Sequence, residues 1–329
     1  MTISVKKGIF TSLAIIAFIL WLISIWWGLP PSTYDVKAKA QTTAKINNHK
    51  IMPGYTTTTT LIDVTSWLIE KPGGFFSNDV TPPGLFMDNM PAFEYAALEQ
   101  IRDLSLAMRL DFSRLPSQST GDKDLEKAQE KINTSHNNWA LPSAEKDYQQ
   151  AIASLVRYRT RLVENSKSDA QFYPRADNLN AWLGAVEKRL VSLSQRLSSS
   201  VEQDNYNSPL AAHPSAKQST ETTGQMPIQT PWFQIDDVFY ESRGATWAIL
   251  HFLKSVEVDF IDVLEKKNAQ VKLKQIIREL ELTQAALWSP VILNGSGFGL
   301  LANHSLVMAD YVSRAKASLI ELRRLLALD

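Results

Sequence analysis

Apolar residues in this chain recur mostly at helical spacing. Leu179, Leu183, Val186, Leu190, Leu193, Leu197 and Val201 alternate intervals of four and three, which keeps one face of a helix apolar through about six turns. Glu187, Lys188, Arg189 and Gln195 lie off that seam. Such a seam suits a bundle helix packed within its own chain, the preferred reading, or a homodimer closed through Leu179, Leu183, Val186, Leu190, Leu193 and Leu197. Phe93, Ala97, Ile101, Leu104 and Met108 mark one face of a helix opening after Pro91. Tyr148, Ile152, Leu155, Tyr158 and Leu162 mark another, entered through Ser143 with Glu145 in its first turn. The spacing predicts a helix from Trp232 to about Lys267, with Gly244 as a weak point or kink. Further helices are predicted over Val271–Trp288, ended by Pro290, and over Leu300–Leu328. The threonine run Thr56–Thr60 has β-propensity, but Leu61, Val64, Trp67 and Leu68 continue it at helical spacing and make it a helix start.

One segment has a different pattern. Gly8 to Gly28 (GIFTSLAIIAFILWLISIWWG) carries no charge and is long enough for a bilayer core, which takes about 20 helical residues. Lys6 and Lys7 precede it, and Trp26 and Trp27 close it as interfacial tryptophans do. A cleavable leader is the rival, since Ala38-Lys39-Ala40 has the small-x-small form of a cleavage site. That site lies well past the apolar run, and the run exceeds the usual 7–15 or so residues of a leader's core. An uncleaved anchor is preferred. Lys37, Lys39 and Lys45 nearly balance Lys6 and Lys7, so charge alone barely orients the span.

Composition shifts divide the remainder. Residues 1–7 form a short tail before the span at 8–28. Residues 29–50 are polar and read as a tether, with a reach of at most about 70 Å at about 3.5 Å per residue. Residues 207–230, rich in Ser, Thr, Pro and Gln, read as a flexible linker between body parts 51–206 and 231–329. The expected fold is all-α: an N-terminal transmembrane helix followed by an elongated antiparallel helical bundle.

Charge and chemistry narrow the function classes. Lys plus Arg and Asp plus Glu number 34 each, and no basic stripe marks a nucleic-acid partner. Cysteine is absent. His49, His136, His213, His251 and His304 form no short ligand pair, so neither a metal nor another cofactor is expected. There is no nucleophile elbow, and His304 and Ser305, being adjacent, diverge on a helix. Asp236 and Asp237, with Glu241 one turn on, are the only acid–base candidates, although first-turn acids usually just favour a helix N-terminus. Gly295–Gly299 superficially resembles a phosphate loop but lacks its Lys-Ser/Thr, and a helix–helix turn explains it.

The segment 71–91 is dense in turn formers yet apolar. Pro72, Gly73, Gly74, Phe75, Phe76, Leu85, Phe86 and Met87 either pack over the bundle or offer a surface to a partner or lipid.

The strings EKPGGFFSND, PPGLFMDNMP, FYPRADNLNAWL, SLSQRLSSSV, TPWFQIDDVFYESRGATWA, KNAQVKLKQIIRELE and SPVILNGSGFGLLANHSLVMADYVSRA resemble an uncharacterised family of proteobacterial single-span inner-membrane proteins. The resemblance runs from about Pro53 to the C-terminus and is weakest across 207–230. It implies an inner-membrane location, with the N-terminus cytoplasmic and the body periplasmic, and supplies no catalytic residues. The expected role is that of a scaffold or adaptor for another envelope component. The alternative is a periplasmic enzyme or lipid-handling domain with a cleft between helices.

Overall fold

The computed structural model describes residues 2–114, 121–164, 170–200, 230–287, 291–295 and 302–328. The helices are α1 (Thr2–Trp27), α2 (Val36–Ile46), α3 (Tyr55–Glu70), α4 (Asn89–Ala107), α5 (Lys123–Ile132), α6 (Ala144–Val163), α7 (Ala176–Ser198), α8 (Ile235–Asp259), α9 (Ile261–Lys266), α10 (Gln270–Leu282) and α11 (His304–Ala327). A π-helical turn, Met108–Phe112, prolongs α4. Among the described residues the only β pairing is an isolated bridge between Asn294 and Asn303. The chain is all-α, an apolar helix followed by a helical bundle. α1 is long and apolar enough to cross a bilayer, and none of its apolar window is buried against the body.

α4 lies along α8 and α7 along α11, so helices from both sides of residues 207–230 share one core. The proposed linker itself falls outside the described residues, apart from Thr230. The seam from Leu179 to Leu197 is at most 6% exposed, filled by α11, α4 and α8. Its apolar surface is spent inside the chain, which removes the feature that suggested a homodimer there. Val201 lies outside the described residues.

Two glycines explain how closely helices approach. Gly54 caps α3 at φ +89°, and a Cβ there would stand 2.4 Å from the Phe172 ring. Gly244, expected as a kink, sits inside an unbroken α8. A Cβ there would stand 2.1 Å from the Phe93 carbonyl oxygen, so this glycine permits backbone contact between α8 and α4. The threonines of α3 are buried on every side. Thr58, Thr60 and Thr65 return their hydroxyls to carbonyls one turn back, which satisfies them without water.

Residues 29–50 do not form a simple tether. Asp35 caps α2 by accepting from the Ala38 amide at 3.0 Å. Val36, Ala40 and Ala44 are buried, so one narrow stripe seats α2 on α3 and α8. The small stripe escaped the sequence reading because lysines and threonines surround it.

Antiparallel packing sorts the connections to two ends. At the near end, where α1 finishes, the Trp27 ring lies 5.6 Å from that of Phe76. Met87 Cε comes within 3.6 Å of where a Gly28 Cβ would stand. Asn78 donates to the Asn138 carbonyl at 2.8 Å, and Asp88, Trp232 and Val291 line one hollow. At the far end Phe112, Phe172 and Phe260 form a ring cluster with centroids 5.1–5.5 Å apart.

Candidate functional site: the cleft beside the α1–α2 connection

From Pro30 the chain runs along α8 away from the near end. The Trp247 indole donates to the Ser32 carbonyl at 3.3 Å. The Tyr34 amide donates to Nε2 of His251 at 3.3 Å, and the two rings stack at 4.3 Å. Nδ1 of His251 lies 2.7 Å from the Trp247 carbonyl. Nδ1 therefore carries the proton and Nε2 accepts, so the ring is neutral. Burial holds its pKa down at about 4, consistent with that tautomer. Trp67 packs on Trp247 at 5.1 Å and on Phe93 at 5.5 Å.

These aromatics floor a cleft of about 820 Å³ between α2 and α3, whose walls include Lys39, Asp63, Glu70 and Lys71. Burial pushes the Asp63 carboxyl up to about 6 against the pull of Lys39 and Arg159. Asp63 Oδ2 and the Tyr34 hydroxyl are buried without a hydrogen-bond partner. An aromatic floor between charged walls suits a partly apolar guest bearing one polar group.

One wall is fixed by a buried charge cluster. Glu94 accepts from the amides of Phe76 and Ser77 and from the Ser77 hydroxyl, all at 2.9–3.1 Å. It also pairs with Lys71, whose ammonium lies over the Phe76 ring and donates to the Gly74 carbonyl. Burial pushes Glu94 up and Lys71 down, while the surrounding donors favour the ionised carboxylate. This is structural chemistry that ties segment 71–77 to α4.

The segment singled out from the sequence therefore splits. Phe75 and Phe76 are buried, Met87 packs on the core, and Leu85 and Phe86 face outward, with Phe86 78% exposed. Pro72 lines the cleft; Gly73 and Gly74 take positive φ beside it. Part of the segment packs on the bundle and part is exposed.

The acid candidates do not converge. Asp236 lines a hollow of about 250 Å³ with Trp232, Tyr240 and Val291. Glu241 pairs with Arg196 and borders a different hollow, of about 530 Å³, between α4 and α7. Burial, with Asp88, Asp236 and Glu241 nearby, raises Asp237 to about 6, yet it lines neither hollow. No one of these hollows holds all three. His49 contacts Tyr55, His136 the Tyr95 ring, and His304 accepts from the Leu293 amide at 3.1 Å. His213 lies outside the described residues. No group of three metal-ligating side chains occurs among the described residues. Gly295 is described, whereas 296–301 are not. Lys6 and Lys7 lie within α1.

Sequence reasoning missed Tyr34, Asp63, Trp67, Trp247 and His251. Tyr34 and His251 stand 217 positions apart, and no periodicity joins them. Tyr34, in a polar stretch, was the one available signal.

A family model described as "Uncharacterized protein conserved in bacteria (DUF2333)" matches residues 2–328. No curated protein and no solved structure matches the chain.

Proposed function

We propose that this chain, which belongs to the uncharacterised bacterial family DUF2333, is a single-span inner-membrane protein with a cytoplasmic N-terminus and a periplasmic body. It acts as a scaffold or adaptor for another envelope component. The observation that supports this best is the packing of the α1 exit into the body. Trp27 lies on Phe76, Tyr34 on His251, and α2 on α3 and α8. A leader made to be cut away needs no such seat. A helix fixed to its domain holds that domain at a set place on a membrane, which is what a docking platform requires. Two of the perturbed acids of the body have structural explanations: Glu94 secures segment 71–77, and Asp259 accepts from the Thr57 amide and hydroxyl at 2.7 Å each.

The test combines an N-terminal tag with affinity capture from solubilised membranes after brief crosslinking. Retention of the tag, protease access to the body only from the periplasmic side, and recovery of one envelope protein in fixed ratio are expected. Loss of the tag, or repeated recovery of the chain alone, contradicts the reading. The cleft favours a second reading, lipid handling. Native mass spectrometry of the detergent-released chain would then show a bound lipid that is lost when Thr42→Trp fills the cleft.

A further inference from the structure

Outside α1, the exposed Phe and Trp side chains among the described residues share one location. Phe86, Trp139, Trp232 and Phe233 are 65–84% exposed, and with Leu141 at 96% and Val291 at 61% they occupy four separate connections. All four lie at the near end. Phe86 adjoins Met87, which meets the end of α1 at Gly28. Trp232, Phe233 and Val291 line one hollow with Asp88. Trp139 and Leu141 follow Asn138, which Asn78 holds against the same segment. The large exposed apolar side chains at the far end, Ile46, Ile51, Leu106, Leu110, Ile261, Val271 and Leu328, are all aliphatic.

Trp and Phe displayed on loops around the foot of an apolar helix are the residues a bilayer interface takes up. Among the described residues, the connections that carry these side chains hold one Lys or Arg, Lys71, which is buried against Glu94, while Asp79 and Asp88 stand among them. Attraction to anionic headgroups is therefore not the recognising chemistry. α8, which Trp232 and Phe233 directly precede, extends about 37 Å to the far end at 1.5 Å per residue, so the two ends stand well apart.

We infer that the near end of the body is a second membrane contact, in which Phe86, Trp139, Leu141, Trp232, Phe233 and Val291 enter the interface of the leaflet that α1 leaves, by apolar insertion into neutral lipid. The body stands directly on the bilayer, with α10 and the far end raised from it. This rests on α1 spanning the membrane.

Because the chain has no cysteine, single labels can report depth in the full-length protein. Phe86→Cys, Trp139→Cys and Phe233→Cys, with Ile16→Cys in α1 and Val271→Cys at the far end as references, would carry an environment-sensitive fluorophore. The chain is reconstituted in phosphatidylcholine nanodiscs containing phosphatidylcholine spin-labelled high on the acyl chain. The labels at 86, 139 and 233 are expected to shift to the blue and be quenched, like that at 16 and unlike that at 271. High salt or anionic lipid should not strengthen the effect. Quenching at 16 with labels at 86, 139 and 233 behaving as at 271 overturns the second contact while the anchor stands; that outcome assigns the rim to water or a protein. Absence of quenching at 16 overturns both.

Discussion

Gly244→Ala sets two effects of known sign against each other. In an isolated helix the change stabilises by about 1 kcal/mol, because alanine loses less backbone entropy. In the fold, the new methyl carbon would stand 2.1 Å from the Phe93 carbonyl oxygen and 2.8 Å from Phe93 Cα. A normal carbon–oxygen approach is about 3.3 Å or more, so α4 and α8 must part by about 1 Å. Both contacting atoms are backbone, which no rotamer change relieves. A gap of that size forfeits roughly a quarter to a half of the local dispersion attraction, along one of the most extensive helix pairs of the bundle. Overpacking costs about 1–3 kcal/mol, and the upper value applies where backbone meets backbone. The net loss is about 2 kcal/mol, a fall in Tm of about 4–8 °C. Gly184→Ala is the matched control: its Cβ would meet only the flexible end of Arg323, at 3.2 Å. The helix gain should survive there, and Tm should hold or rise. Far-UV circular dichroism during heating in detergent reads both. If Gly244→Ala unfolds at or above the wild-type temperature, the close-approach argument is wrong.

Three further outcomes follow from the buried groups. Glu94→Gln leaves the Lys71 ammonium buried without its counter-charge and should cost about 3–5 kcal/mol in denaturant titration, much of it recovered by adding Lys71→Met, since the glutamine oxygen can still accept from the 76–77 amides; a loss under about 1 kcal/mol would contradict the pairing. Burial raises Asp259 from 3.8 to about 6, so the folded chain binds that proton more tightly than the unfolded chain does. Stability from this group is therefore smallest above about pH 6 and grows as pH falls toward 4, by up to about 3 kcal/mol. Wild type should gain on Asp259→Asn between pH 7 and 4, and a gap that stays constant or moves the other way refutes the assignment. Leu190→Ala, at a position with no exposure, should cost about 2–5 kcal/mol with no change in oligomeric state by light scattering. A variant that turned a dimer into folded monomers would mean the seam works between chains.

Helix existence was legible wherever an apolar stripe was wide. The four-and-three spacing from Leu179 to Leu197 predicted both a helix and its buried face, and the face from Phe93 to Met108 did the same for α4. α2 was lost because Val36, Ala40 and Ala44 make a stripe only one residue wide, matched to a shallow groove rather than a deep core. Gly244 was read from intrinsic propensity, yet its role depends on Phe93 of the partner helix, far earlier in the chain. Segment 71–91 was recognised as unusual, but composition could not divide Phe75, packed on Tyr148, and Phe76, packed on Trp27 and Lys71, from Leu85 and Phe86. The cleft was invisible because its walls come from α2, α3 and α8. Asp63 reads as an ordinary helical acid until burial by those helices raises its pKa.

The account stands or falls on whether α1 and the body form one rigid piece, and a spin-label distance measures that directly. Leu22→Cys on α1 and Leu106→Cys near the end of α4 can be labelled together in the otherwise cysteine-free chain, in nanodiscs. Packing of Trp27 on Phe76 and of Tyr34 on His251 predicts one narrow distance distribution. Tyr34→Ala combined with His251→Ala should broaden it. A broad distribution in the wild-type chain, as a free tether of residues 29–50 would produce, contradicts the account.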